Sequence, residues 1–297
     1  MPRHQWCDRA RQALHVASLA ALVSVCADTG SVIAQGRPPH VQSVRLYVFD
    51  CGVLVRGEPT NYNLTREQVG DTNFADACYL VAHPKGTLLW DVGIIPDAQI
   101  TPGGVSIAVG TSGNSNRATR TLRSQLAEIG YRPDDITFLA LSHSHGDHIA
   151  NANDYAQSTW LVQKPERDLM FSEQAQKGAT FAYYSALKDS KTMELTGDHD
   201  VFGDGAVVLK STPGHTPGHQ SLFLKLAKTG PIVLTGDLYH YAAERTMKKI
   251  PVNDDRDRTQ ASRDAIETLL TATRAQLWIQ HDIGANAKLK KSPLYYD

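Results

Sequence analysis

Residues 143–148 read His-Ser-His-Gly-Asp-His, four metal-capable side chains in six positions, directly after the apolar run Ile136-Thr137-Phe138-Leu139-Ala140-Leu141. A buried strand that ends in a short glycine-containing turn projects imidazoles and a carboxylate toward one point. The run therefore constrains the fold as well as the chemistry. Neutral imidazole and carboxylate are the ligands that borderline divalent cations such as zinc prefer. A His-rich surface loop or an expression tag would not sit mid-chain behind a core strand.

Such a site draws further ligands from elsewhere in the fold, and three later segments offer them, each at the end of an apolar run. Val207-Val208-Leu209-Lys210 leads into Ser211-Thr212-Pro213-Gly214-His215-Thr216-Pro217-Gly218-His219. Pro231-Ile232-Val233-Leu234-Thr235-Gly236 leads into Asp237, and Ala275-Gln276-Leu277-Trp278-Ile279-Gln280 leads into His281-Asp282. Strand ends that pass through Gly or Pro into a loop are where a rigid scaffold carries its polar chemistry. A lone histidine of this kind is better explained as a satisfied core or loop residue. Four such strand ends in sequence order are not.

On these residues the chain resembles the metallo-β-lactamase superfamily, and within it the quorum-quenching N-acyl homoserine lactonase-like branch. The resemblance rests on His143 to His148, the His215 run, Gly236-Asp237 and His281-Asp282. It extends to Leu46-Tyr47-Val48-Phe49-Asp50-Cys51-Gly52 and Leu88-Leu89-Trp90-Asp91-Val92-Gly93, and spans residues 41–297. It implies an α/β fold, the αββα sandwich of two mixed sheets flanked by helices. It also implies two Zn2+ per chain: His143, His145 and His215 on the first, Asp147, His148 and His281 on the second, and Asp237 bridging. Manganese, iron or cobalt would accept the same donors.

Two metals about 3.5–4 Å apart share a water and lower its pKa toward neutrality. The implied reaction is the opening of lactones or the cleavage of carboxylic esters by a metal-bridging hydroxide, with N-acyl homoserine lactones as the leading substrate class. Asp147 would then pass a proton to the leaving group. The true β-lactamases of the superfamily lack an aspartate at the Asp237 position, which favours esters. One scaffold hosts many hydrolases, so β-lactam, phosphotriester, thioester or aryl ester hydrolysis is the alternative. A non-catalytic metal-binding relative is a third reading, opposed by the completeness of the ligand set.

The segment after Asp237 departs from the branch. The well-known lactonases carry a tyrosine three positions beyond the bridging aspartate, where this chain has His240 between Tyr239 and Tyr241. His240 could donate the same hydrogen bond to the substrate carbonyl, or Tyr239 could swing in. Helix-start packing explains the two tyrosines equally well. His219 is expected to brace the His215 loop through a hydrogen bond, and His83 and His199 to be surface or loop residues.

The ligands run from 143 to 281 and must converge, so residues 35–297 are expected to form a single hydrolase domain. With 30 Lys and Arg against 31 Asp and Glu, the chain lacks the basic footprint that nucleic acid requires. A small-molecule lactone or ester is the expected partner, and a homodimer stays open. Residues 1–34 look like a signal peptide: Arg3, Arg9 and Arg11, then the mostly apolar stretch Ala13 to Ala27, then Val32-Ile33-Ala34 before Gln35. The expectation is a periplasmic or secreted protein without stable membrane insertion after cleavage, a retained anchor being the alternative. Cys26 lacks a convincing lipobox. Of the remaining Cys51 and Cys78, two buried thiols are expected, a disulfide being the alternative in an oxidising compartment.

Strands are expected at Val44–Phe49, Ala77–Ala82 and Thr87–Asp91. Residues 97–116, rich in Gly, Ser and Thr without periodicity, are expected to form a long loop or flap. A helix capped by Asn116 should run to Ile129, and another should span Thr259–Thr273. The aromatic-rich segment Pro165–Lys188 suits either a helical pair packed on the sheet or an apolar wall for an acyl group.

Overall fold

Alternation along the first two strands sets the layers of the molecule. Strand β1 (Arg45–Val55) sends Leu46 and Val48 to one face and Tyr47, Phe49 and Cys51 to the other. Strand β2 (Phe74–His83), antiparallel to it, divides Ala77, Tyr79 and Val81 from Cys78, Leu80 and Ala82 in the same way. Successive side chains point to opposite faces of a sheet, so a strand apolar on both must be covered on both.

In the computed structural model, which describes residues 38–297, both faces are covered. Strands β3 (Gly86–Trp90), β4 (Val105–Val109), β5 (Asn114–Ala118), β6 (Phe138–Ala140), β7 (Thr159–Gln163) and β8 (Thr192–Leu195) extend the first sheet in the order β4-β5-β1-β2-β3-β6-β7-β8. Strands β9 (His199–Asp200), β10 (Val207–Ser211), β11 (Gln220–Leu226), β12 (Gly230–Leu234) and β13 (Gln276–Trp278) make a second sheet, β13-β12-β11-β10-β9. A short β14 (Tyr295–Tyr296) pairs with β1. Both sheets are mixed: β3, β6, β7 and β8 run parallel in the first, and β12 and β13 in the second.

Leu46, Val48, Tyr79, Val81 and Trp90 of the first sheet meet Leu209, Leu222, Leu224 and Leu234 of the second in the central core. The outer face of the first sheet packs Phe49, Leu80 and Trp160 against Leu122 and Leu126 of one helix and Tyr184 and Leu187 of a later segment. The outer face of the second sheet packs Phe223 and Val233 against Ile266 and Leu270 of the helix Arg256–Thr273. These layers form the expected αββα sandwich.

Several local expectations change. Residues 97–116 are not a structureless flap: β4 and β5 pair as a hairpin that adds to β1. The next helix spans Leu122–Glu128, with Thr121 accepting from the Ser124 N–H as its cap. Asn116 lies in β5 instead. The segment after β7 breaks into the short helices Lys164–Met170, Glu173–Gln176 and Phe181–Tyr184. Its Met170 and Tyr184 belong to the outer core, and Phe171 and Phe181 pack against it.

Cys51 and Cys78 are joined in a disulfide, with Cα atoms 5.9 Å apart, where two thiols were expected. A bulge between Asp50 and Gly52 breaks the β1–β2 register, and both sulfurs fall on the same outer face. His83 is buried at the end of β2, stacked on Phe202 and 3.0 Å from Asp204, and is no surface residue. His199 sits half-buried on β9. The leader expected at residues 1–34 lies outside the described residues. Among those described, no helix is long and apolar enough to cross a membrane.

Candidate metal centre

The ligand-bearing turns all leave the same end of the sandwich. His143 to His148 follow β6, His215 lies in the β10–β11 turn, Asp237 follows β12, and His281 follows β13. They form two groups, His143, His145, His215 and Asp237 in one, Asp147, His148 and His281 in the other. Within each group one donor atom per residue lies within 4.8 Å of the rest.

In the first group His143 Nε2 and His215 Nε2 each approach His145 Nδ1 to 2.9 Å. Asp237 turns one oxygen to each group. Its Oδ2 is 3.6 Å from His143 Nε2 and 3.4 Å from His215 Nε2, and its Oδ1 is 3.1 Å from both His148 Nε2 and His281 Nε2. Asp147 Oδ2 lies 3.5 Å from His281 Nε2.

The acceptors behind three of the imidazoles fix their tautomers. His281 Nδ1 is 2.8 Å from the Ala75 carbonyl, which can only accept, so Nδ1 carries the proton and Nε2 presents a lone pair. Carboxylates do the same for two others: Asp91 Oδ2 faces His148 Nδ1 at 2.9 Å, and Asp254 Oδ1 faces His215 Nδ1 at 3.0 Å. Imidazoles oriented by a carboxylate or carbonyl behind them are the usual arrangement around a bound cation.

The donor set fits a divalent cation on a further observation. His148 Nε2 and Asp237 Oδ1 are buried and complete no hydrogen bond, although they face one another. Buried polar atoms left without partners are costly. Here they converge where a cation would satisfy both.

The electrostatics agree. Burial and the neighbouring His148 hold His143 well below the ordinary histidine range, and desolvation with His215 brings His145 down to about 4. Both are neutral at pH 7, the form in which an imidazole can act as a donor to a cation. Burial pushes Asp237 upward, but the imidazoles of His281, His148 and His143 outweigh it and hold the carboxylate well below its usual range. Burial opposes a charge on His148, yet Asp237, Asp91 and Asp147 raise it well above the ordinary value. The second group therefore attracts positive charge.

Three residues that the sequence motifs did not single out for a role hold this arrangement. Asp91, fully buried in a left-handed conformation (φ 55°), accepts from the Ser142 N–H, His148 Nδ1 and Gln280 Nε2. Glu166 accepts from the Ser144 N–H, the Thr216 hydroxyl and the Gly218 N–H, clamping the two loops of the first group together. Gly218 must be glycine, since a Cβ there would lie 2.4 Å from the Glu166 backbone nitrogen. Asp254 is the third, through His215. His219 ties its Nδ1 to the Thr212 carbonyl at the base of the His215 loop, and its Nε2 accepts the Asp237 N–H at 2.9 Å.

The remaining expected site residues divide. His240 joins the centre: its Nε2 is 3.0 Å from Asp237 Oδ2, and its ring packs 4.5 Å from that of Tyr62. Tyr239 does not. Its hydroxyl donates to Glu267, Arg263 stacks over its ring, and it lines a separate cavity with Arg245 and Lys248. Chain direction explains this, because adjacent residues of the extended Tyr239–Tyr241 segment point to opposite sides. Tyr241 turns away too, donating to the Thr72 carbonyl. A cavity of about 330 Å3 opens over the centre, walled by Leu54, Arg56, Tyr62, Phe74 and Asn253 beside Asp147, Asp237 and His240.

The model of the metallo-beta-lactamase superfamily matches residues 72–275, and the chain belongs to that superfamily. Among its relatives, the N-acyl homoserine lactonase AttM of Azorhizobium caulinodans is 28% identical over 267 residues, 86% of this chain and 99% of the relative. An N-acyl homoserine lactonase of Bacillus sp. is 28% identical over 222 residues, 73% of this chain and 85% of the relative. A solved N-acyl homoserine lactone hydrolase, with N-hexanoyl-L-homoserine bound at its catalytic metal center, superposes with a TM-score of 0.68 at 22% identity. That match covers 85% of this chain and 99% of the other, and shows the shared fold.

Proposed function

We propose that this protein is a dinuclear metal-dependent hydrolase that opens lactones or cleaves carboxylic esters, with N-acyl homoserine lactones as the leading substrate class. The observation that carries the proposal is Asp237, whose two oxygens face two separate imidazole groups at 3.1–3.6 Å. That is the placement a bridging carboxylate requires. The relatives named N-acyl homoserine lactonase support the substrate class.

His143, His145 and His215 would hold one cation and Asp147, His148 and His281 the other, zinc being the default for such donors. Two such cations, when bound, supply Lewis acidity for the carbonyl and acidify the attacking water. The chain's own residues do the rest. Asp147 lines the cavity beside the centre and is placed to hand a proton to the leaving alkoxide. His240 lines the same cavity, with Glu244 accepting from its backbone N–H at 2.9 Å; its ring Nε2–H, 3.0 Å from Asp237 Oδ2, would be released to the substrate carbonyl oxygen once cations engage that carboxylate. Leu54, Tyr62 and Phe74 give an acyl chain an apolar wall and exclude water from it.

The test is a panel of lactones, aryl esters, nitrocefin-type β-lactams and phosphotriesters, run beside metal analysis of the protein as purified. The expected result is lactone turnover that chelation abolishes and zinc restores, with two metal equivalents per chain. Protein holding two metals that turns over no lactone or ester would overturn the proposal. The Cys51–Cys78 disulfide favours an oxidising compartment and supports export after removal of residues 1–34. Osmotic-shock fractionation, with N-terminal sequencing of the released protein, tests that part.

A further inference from the structure

Arg56 is the cation of the cavity wall. It follows β1 directly and is half-buried. Its backbone is pinned, the N–H donating to Asn73 Oδ1 at 3.0 Å and the carbonyl accepting from the Thr72 hydroxyl at 2.6 Å. Its guanidinium is pinned as well: Nη1 donates to the Val55 and Ser115 carbonyls at 3.0 and 3.1 Å, and Nη2 to Asn116 Oδ1 at 3.0 Å.

All of those acceptors are neutral. A guanidinium has five N–H donors, so the Nε–H and one Nη2–H have no protein acceptor, on a residue that lines the cavity. The carboxylates near the cavity are committed elsewhere. Asp237 is engaged by imidazoles, and Asp254 by His215 and Thr259. Asp147 faces His281. Among the described residues Arg56 forms no ion pair. The carboxylate that acts on it most, Asp147, makes no contact with it, so a charge held half out of water is compensated only in part, and the rigid fork of a guanidinium suits a carbonyl or carboxylate oxygen.

We propose that Arg56 is a specificity-determining residue: its two unspent N–H groups bind an oxygen acceptor on the substrate, remote from the scissile carbonyl. The proposal rests on the hydrolase reading and narrows it to lactones or esters that carry a second carbonyl or a carboxylate. An amide carbonyl on the acyl side and a free carboxylate share this chemistry, and the test separates them.

The metal-loaded full chain and its Arg56→Gln and Arg56→Lys variants are assayed on three γ-butyrolactones: unsubstituted, carrying an N-acyl amide on the α-carbon, and carrying a ring carboxylate. Losing a charged hydrogen bond to substrate should raise KM for an acceptor-bearing lactone by about ten- to hundredfold. The unsubstituted lactone should keep its KM, and kcat should hold throughout. Whichever substituted lactone suffers more identifies the acceptor. Arg56→Lys, which keeps the charge and one donor, should lie between Arg56→Gln and the parent and guards against a misfolded glutamine variant.

A purely structural Arg56, tying β1 to β5, would lower kcat/KM on all three lactones by one factor, and that result overturns the proposal. Direct titration with N-hexanoylglycine and with hexanoate, which lacks the amide, needs no turnover. Arg56→Gln should weaken the first more than the second if the acceptor is the amide carbonyl, and both alike if it is the carboxylate. If no lactone is hydrolysed by the parent, the functional reading fails. The titration then still decides Arg56: unchanged affinity for both ligands, or a weakening that unsubstituted γ-butyrolactone shares in full, overturns its role.

Discussion

The two ligand groups that share Asp237 are built to different standards of enclosure. His148 and His281 are buried, and the hydrogen-bond partners behind them, Asp91, Gln280 and the Ala75 carbonyl, belong to the central strands or the turns directly beyond them. Asp147 beside them is half-buried, and in the other group, the shared Asp237 apart, only His143 is buried. His145 is exposed and His215 half-buried, on loops clamped by Glu166 and Asp254. One group is fixed by the core of the sandwich, and the other by loop-to-loop contacts at its rim. Loops positioned by a rigid scaffold are where substrate meets an enzyme, so the rim group is the adaptable half and the core group the anchor.

Asp237 belongs to both halves, and removing it should have the largest effect. Asp237→Ala leaves His148 and His281 facing no carboxylate oxygen at 3.1 Å and takes the Oδ2 from the rim histidines. The expected outcome is a loss of about a thousandfold or more in kcat/KM, the several kcal/mol that metal activation contributes. Metal content should fall in both sites, read by elemental analysis beside steady-state kinetics. Unchanged turnover in a metal-replete Asp237→Ala protein would remove the bridging role.

Asp91→Ala should come next and should strike the anchor half alone. It strips the acceptor from the Ser142 N–H, His148 Nδ1 and Gln280 Nε2 inside a dry core. Breaking a buried charged network of this kind costs about 3–5 kcal/mol of stability. Losing the carboxylate behind a ligating histidine costs about 10–100-fold in metal affinity. Urea unfolding and metal titration should therefore both shift. A variant that lost metal affinity without stability would show that Asp91 is not part of the core at all.

The same contrast governs what the sequence revealed. The candidate ligands were legible because each stands in a turn that follows an apolar strand run, and four of them crowd into residues 143–148. The sandwich was legible through the same runs and the resemblance they carry. Asp91, Glu166 and Asp254 were not. A single carboxylate carries no period, and its partners lie 57, 52 and 39 residues away. The β4–β5 hairpin was missed because β4 is an edge strand exposed along its length except for Val105, which packs on a small satellite cluster. Its signal was present in the alternation Val105, Ile107, Val109 before Gly110 and Gly113, both in left-handed conformations at φ 63° and 80°. Tyr239 points away from the centre although it adjoins His240, because an extended backbone reverses direction at every residue, which sequence proximity does not reveal.

The smallest of the three effects tests the rim. Asp254 holds His215 from behind at 3.0 Å and also accepts from the Thr259 hydroxyl at the start of the long helix. His215 keeps some contact with solvent, so Asp254→Ala leaves its Nδ1–H within reach of water, unlike the same group of His148. Stability should therefore fall by only about 1 kcal/mol, the net worth of an ordinary hydrogen bond. Metal affinity of the rim site should still fall about tenfold, because the imidazole is no longer held in its ligating orientation. The pair of measurements separates the two halves: Asp91→Ala should move unfolding and metal binding together, and Asp254→Ala metal binding almost alone. Equal destabilisation by both variants would show that the rim is as much a part of the folded core as the anchor, and the division between them would be lost.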